Sequence, residues 1–159
     1  MNDFEQIGDV LVRYATGIDS RDWNLFRTCF TEDCKLDYGD LGRWDNREAV
    51  TQFMIMSHSG PSMHRLSNFA ISIGGDGART RSYVDALVYG PGGLVGAHNV
   101  GYYDDELVRT ADGWRIARRR YTGVSIKLMG MLGIMPGWVA ARLAAFGAKR
   151  MNMAAMSKK

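Results

Sequence analysis

GIDSRDWNLFRTCFTEDCKLDYG, Gly17 to Gly39, read together with SMHRLSNFAISI beginning at Ser62, sets the expected architecture. In the first stretch Trp23, Phe26, Cys29 and Phe30 recur at helical spacing behind Ser20 and Asp22, either of which can accept from the free amides of a helix start. Cys34, Leu36 and Tyr38 then alternate as a first strand, and GDLG turns the chain. Upstream, Phe4, Ile7, Leu11, Tyr14 and Ala15 form the apolar stripe of a first helix, with Asp3 as its N-cap and Gly17 near its other end. Downstream, Asp45 or Asn46 opens a third helix reaching Ser57, and Ala49, Val50, Phe53 and Met54 provide its apolar face.

From Ser62 the period changes from helical to two. Met63, Arg65 and Ser67 share one phase and His64, Leu66 and Asn68 the other, with a phase switch at a bulge expected before Phe69, Ile71 and Ile73. Gly74, Gly75, Asp76 and Gly77 predict a hairpin turn, after which ARTRSYVDALVYG returns. A long strand from Leu94 through Val108 follows, and ADG joins it to WRIARRRYTGVSI. GPGG interrupts the strands without the spacing of a phosphate-binding loop. Helices first and antiparallel strands afterwards predict an α+β chain, a curved sheet covered by three N-terminal helices. A doubly wound parallel sheet is disfavoured, because strands and helices do not alternate after His64.

Length and charge narrow the classes. The 159 residues support one substantial core, expected over residues 1–125, with 126–159 as an apolar and basic extension. The net charge is only +3, but residues 1–60 hold 11 acids against 6 bases, whereas 122–159 hold 6 bases and no acid. No dense basic stripe with interleaved aromatics points to nucleic acid. Cys29 and Cys34 do not form a CxxC pair and read as ordinary thiols. His58, His64 and His98 lack the spacing of a zinc motif, so neither a metal nor a cofactor is expected. MNDFEQIGD has acids where a secretory leader carries positive charge, which makes the cytoplasm the expected compartment.

Asp19 and His64 carry the chemical expectation. A carboxylate accepting from one imidazole nitrogen leaves the other poised as a base, and Tyr14, a little over one helical turn before Asp19, can offer its hydroxyl to a substrate oxygen. The same residues also admit structural roles: Asp19 as a helix cap, Tyr14 as a buried hydrogen-bonded core residue, His64 as a satisfied histidine.

RYATGIDSRDWNLFRTCFTEDCKLDYG, MHRLSNFAISI and YYDDELVRTADGWRIARRRY together resemble the SnoaL-like division of the NTF2-like superfamily, over roughly residues 4–122. The likeness is to the branch of bile-acid dehydratases, scytalone dehydratase and hexachlorocyclohexane dehydrochlorinase. It implies a conical fold, with Asp19 and His64 as the base dyad and Tyr14 as the tyrosine beside it. It also implies that Arg109 matches a pocket arginine of the dehydrochlorinase, where the bland alternative is a salt-bridged strand residue. Trp44, Tyr38 and Phe53 are expected to line a substrate pocket. His98 is included with them, although the second pocket histidine of scytalone dehydratase does not carry over to it, and an outward His98 would remove that role. The implied activity is that of a cofactor-independent dehydratase acting on a hydrophobic, steroid-like or polyketide-derived ring. The alternatives are a double-bond isomerase using the same base and a noncatalytic binding or assembly domain. The branch also implies a homotrimer or homodimer. Beyond Ile126, a break at Met135, Pro136 and Gly137 is expected to precede a helix near Trp138, where Leu143 and Phe146 pack beside Trp138 and Val139. That segment would cap the pocket, join subunits or rest on a membrane surface.

Overall fold

Asn2 starts the first helix, one residue before the predicted cap. Its side chain accepts from the Glu5 amide while Glu5 reaches back to the Asn2 amide, a reciprocal capping box. The structure, a computed structural model, describes residues 1–130 and, beyond them, 138, 139, 142, 145, 146 and 149. Helix α1 (Asp3–Ser20) buries Ile7, Val10, Leu11, Tyr14 and Ile18, while Phe4 stays exposed. It runs past Gly17, which is therefore no helix end. A Cβ on Gly17 would lie 2.8 Å from the Phe26 amide nitrogen, so this glycine lets the next helix pack against α1. Arg21, with φ at 60°, stops α1 in the left-handed conformation.

Helix α2 (Trp23–Arg27) is capped by Asp22, and strand β1 (Phe30–Asp37) follows. The turn at Gly39 folds the short β2 (Arg43–Trp44) back on β1. Asn46 caps helix α3 (Arg47–Ser57). Four long strands complete the chain: β3 (Ser62–Gly74), β4 (Gly77–Tyr89), β5 (Val95–Thr110) and β6 (Gly113–Gly130). They form one sheet in the order β2-β1-β6-β5-β4-β3, antiparallel except where β1 meets β6. The β3–β4 hairpin turns at Gly75 and Asp76, with Gly75 at φ 58°. Register slips between Ser67 and Ala70, where Asn68 has φ 52°, at the expected phase switch. Further slips lie between Val100 and Gly101 and between Glu106 and Leu107. Each inserts twist that wraps the sheet around the helices.

The fold is thus the expected α+β NTF2-like arrangement, with the helices on one face of an open sheet. The inner face of β4 carries Ala78, Thr80, Ser82, Val84 and Ala86, all buried, and the intervening Arg79, Arg81 and Tyr83 face solvent. Cys29 and Cys34 are free thiols in the core, where burial pushes their pKa values up to about 11 and about 12. A raised value leaves little thiolate, so both cysteines are expected to resist iodoacetamide at about pH 8 in the native protein and to react after unfolding in urea. Mass spectrometry of labelled peptides checks this; equal labelling before and after unfolding contradicts the burial.

Among the described residues no helix is long and apolar enough to cross a membrane. Trp138, Val139, Arg142, Ala145, Phe146 and Lys149 are helical, in keeping with a helix near Trp138. Trp138 and Phe146 are exposed. The predicted break at Met135–Gly137 and the packing of Leu143 lie outside the described residues.

Candidate active site

The C-terminal turn of α1 and the first residues of β3 meet at a clamp. The Arg21 guanidinium donates through one nitrogen to the Asp19 carbonyl at 2.5 Å and to Ser62 Oγ at 3.1 Å, fastening the helix end to the strand. Across this junction Asp19 Oδ1 accepts from Ser62 Oγ at 2.8 Å and lies 2.8 Å from His64 Nδ1. Its Oδ2 accepts from the His64 backbone amide at 2.6 Å. A carboxylate only accepts, so Nδ1 carries the imidazole proton and the lone pair is on Nε2. Nε2 has no hydrogen-bond partner among the described residues. The His64 side chain is 5% exposed and that of Asp19 24%. Burial pulls the Asp19 pKa upward, but the bonds from the His64 ring, the His64 amide and Ser62 outweigh it and hold the carboxyl below its usual range. The pair expected from sequence is therefore formed, oriented and shielded.

Tyr14 stands edge-on to His64, with ring centroids 6.5 Å apart. Its hydroxyl donates to Tyr103 at 3.2 Å and lies 3.1 Å from the Tyr38 hydroxyl. Each hydroxyl has one proton, so Tyr38 donates to Tyr14, Tyr14 to Tyr103, and the Tyr103 proton remains uncommitted. Burial raises the pKa of Tyr14, Tyr38 and Tyr103 and keeps all three as neutral donors. Beneath them the Arg119 guanidinium lies 4.1 Å from the ring centroids of both Tyr14 and Tyr103. Arg119 is held by a bidentate pair to Asp105 at 2.7 Å for each bond, and both side chains are fully buried.

Several residues depart from their expected places. Asp19 lies within α1, not at the junction after it. Asp105 points inward from β5, an internal strand of the sheet. Arg109 does not enter the site. It pairs with Asp3 at the opposite end of α1, about 24 Å of helix from Asp19, and lies over the Trp114 ring. Its bland alternative, a salt-bridged strand residue, is what the fold contains, and Arg119 is the arginine delivered to the interior. His98 faces out: its register partner is Leu87 on the solvent face, and its Nε2 lies 2.7 Å from Asp85. The water-activating role for His98 falls with that orientation. Trp44, Tyr38 and Phe53 do gather, with Tyr38 to Trp44 ring centroids 5.4 Å apart and Trp44 to Phe53 4.5 Å apart, in a buried cluster continuous with Tyr14.

Sequence patterns gave no sign of Tyr103, Arg119 or Asp105. A search of the inward phase of β5 and β6 for paired charges would have found them, once the register was known. A concavity of about 550 Å³ is lined mostly by charged side chains, among them Lys35, Arg79, Glu106 and Arg118, and neither Asp19 nor His64 borders it. Among the described residues no cluster of three His, Cys, Asp or Glu side chains is placed to hold a metal.

Comparison with known proteins places this geometry in a lineage. Residues 1–120 match the SnoaL-like domain. An uncharacterized protein of Mycobacterium tuberculosis is 32% identical over 137 residues, covering 81% of this chain and 90% of the relative. Among solved structures, a Novosphingobium aromaticivorans protein provisionally named an aromatic ring hydroxylase is 28% identical, with a TM-score of 0.72 over 82% of this chain and 94% of its own. A hexachlorocyclohexane dehydrochlorinase, LinA-type3 from Novosphingobium barchaimii, is 14% identical with a TM-score of 0.70, covering 83% and 93%, a likeness of fold.

Proposed function

The chain belongs to the SnoaL-like family, and on that premise we propose that it is a cofactor-independent dehydratase eliminating water from a hydrophobic cyclic hydroxyketone. The observation that carries this is the shielded Asp19–His64 pair with its free Nε2, set against a bank of neutral tyrosine hydroxyls. In the proposed reaction His64 Nε2 takes a proton from the carbon beside a carbonyl, and Asp19 keeps Nδ1 protonated and stabilises the imidazolium that results. Negative charge passes to the carbonyl oxygen. The uncommitted Tyr103 proton, at the end of the Tyr38–Tyr14–Tyr103 series, is the donor for that oxygen, and the Arg119 charge behind the rings strengthens it. The C–O bond to the β-hydroxyl then breaks, the imidazolium returns its proton to the departing oxygen, and an enone and water leave. Tyr14 in this scheme relays and orients. The Tyr38, Trp44 and Phe53 cluster supplies the apolar surface for a ring.

Incubating the protein with a panel of cyclic β-hydroxyketones and β,γ-enones, with products followed by NMR and mass spectrometry, tests the reading. Loss of water from hydroxyketones is the expected result. A shifted double bond without change of mass instead identifies an isomerase using the same base. Tight binding of the panel with no conversion identifies a binding domain.

A further inference from the structure

His58 has no part in the dyad, yet it stands next to it. It closes α3, and its ring centroid is 5.3 Å from that of His64. Its Nδ1 lies 3.2 Å from the Met54 carbonyl oxygen and 2.9 Å from Ser57 Oγ. A carbonyl only accepts, so Nδ1 carries the proton and is committed to the helix end, which leaves the lone pair on Nε2 across the ring. That Nε2 is buried with no hydrogen-bond partner, in a residue 7% exposed. Burial, and then the neighbouring His64, push its pKa down to about 3. His58 is therefore neutral, and its Nε2 is a fixed acceptor, neither a donor nor a base near neutrality. Buried acceptors are rarely left bare, and one beside a candidate base is accounted for if its partner arrives with the ligand.

We infer that His58 Nε2 is a specificity-determining acceptor, taking a hydrogen bond from a hydroxyl of the cyclic ketone bound against His64. The inference rests on the dehydratase reading of the Asp19–His64 pair and deepens it by assigning a recognition element for the substrate's hydroxyl. A ketone carrying the hydroxyl satisfies the buried lone pair; one lacking it leaves the acceptor bare, the arrangement that discriminates most strongly between such analogues. His58 takes no proton from the substrate. It fixes the hydroxyl so that the adjoining C–H is presented to His64.

Two bicyclic ketones with fully substituted carbons on both sides of the carbonyl, one with and one without a β-hydroxyl, allow binding to be read without turnover. Calorimetry with the wild-type protein is expected to show about a tenfold or greater preference for the hydroxyketone. His58→Phe, which keeps a ring but loses the acceptor, should bring the two affinities close to parity, and His58→Gln, with an amide oxygen, should restore part of the preference. Equal affinities in the wild type, a preference that survives in folded His58→Phe, or failure of both ketones to bind overturns the inference. Should His58→Phe not fold, ¹⁵N NMR of the wild-type imidazoles decides: the His58 Nε2 resonance must move upfield with the hydroxyketone and not with its deoxy partner. An enolisable hydroxyketone assayed in parallel separates the two readings. Elimination without hydroxyl preference removes the role of His58 and leaves the base, whereas preference without elimination removes the base and leaves His58.

Discussion

His64→Ala is expected to lower kcat/KM on a cyclic β-hydroxyketone by about a thousandfold, within the 10²–10⁴ range a positioned general base contributes. Asp19→Asn should fall in the same range for a different reason. An amide can present its NH₂ to Nδ1, which favours the tautomer with the proton on Nε2 and removes the lone pair that takes the substrate proton. Asparagine is the informative replacement because Asp19 also accepts from Ser62 and from the His64 amide, so alanine would loosen the junction between α1 and β3 as well. The pH dependence of stability reports on Asp19. The folded pKa of Asp19 lies below its ordinary value, so its contribution to stability is fully present above the unfolded carboxyl value of about 3.9 and is lost only as pH falls through the lower folded value. Circular dichroism and thermal melts establish folding, and steady-state kinetics gives kcat/KM. Folded His64→Ala with wild-type kcat/KM would reject His64 as the base.

The second large effect is on stability. Arg119→Leu should cost about 3–5 kcal/mol, because it leaves the Asp105 carboxylate charged and unpaired in the core. For a chain of this size that corresponds to a fall in Tm of roughly 6–20 °C. Burial opposes the charge on Arg119, but the attraction of Asp105 outweighs it and raises the Arg119 pKa. The guanidinium also loses its place between the Tyr14 and Tyr103 rings, so the hydroxyl series should loosen and turnover fall with stability. Combining Arg119→Leu with Asp105→Leu removes both charges and should recover much of the lost Tm, since an apolar pair carries no desolvation cost. Thermal and urea denaturation of the two single variants and the double variant gives the coupling. A single variant within about 1 kcal/mol of wild type would show that the pair is not held as a buried unit.

The dyad was legible because its parts sit at positions that local patterns mark. Asp19 follows the apolar stripe of α1, and His64 lies at the start of the first long run of alternating residues, which begins at Ser62. The slip near Asn68 was legible too, since His64 and Leu66 on one phase and Ile71 and Ile73 on the other cannot share a face without an added residue. The family resemblance supplied the pairing itself, which 45 residues of separation do not reveal.

Other assignments needed the sheet. Three consecutive arginines, Arg118 to Arg120, must alternate, but alternation says only that one neighbour differs from the next. Which one is buried depends on the register of β6 against β5, and bulges reset that register on either side of Tyr103. Arg119 thereby faces inward opposite Asp105, whereas Arg109, as plausible by position, ends beside Asp3 at the far end of α1. Gly17 looked like a helix end from sequence and proved to be a contact point for α2, a distinction set by the approach of Phe26. The amino-acid sequence by itself determined the order and type of the elements and which faces are apolar, because those follow from side-chain period and capping. Only the tertiary structure decided which polar groups meet inside, because strand register and helix docking carry residues distant in the chain into hydrogen-bond range.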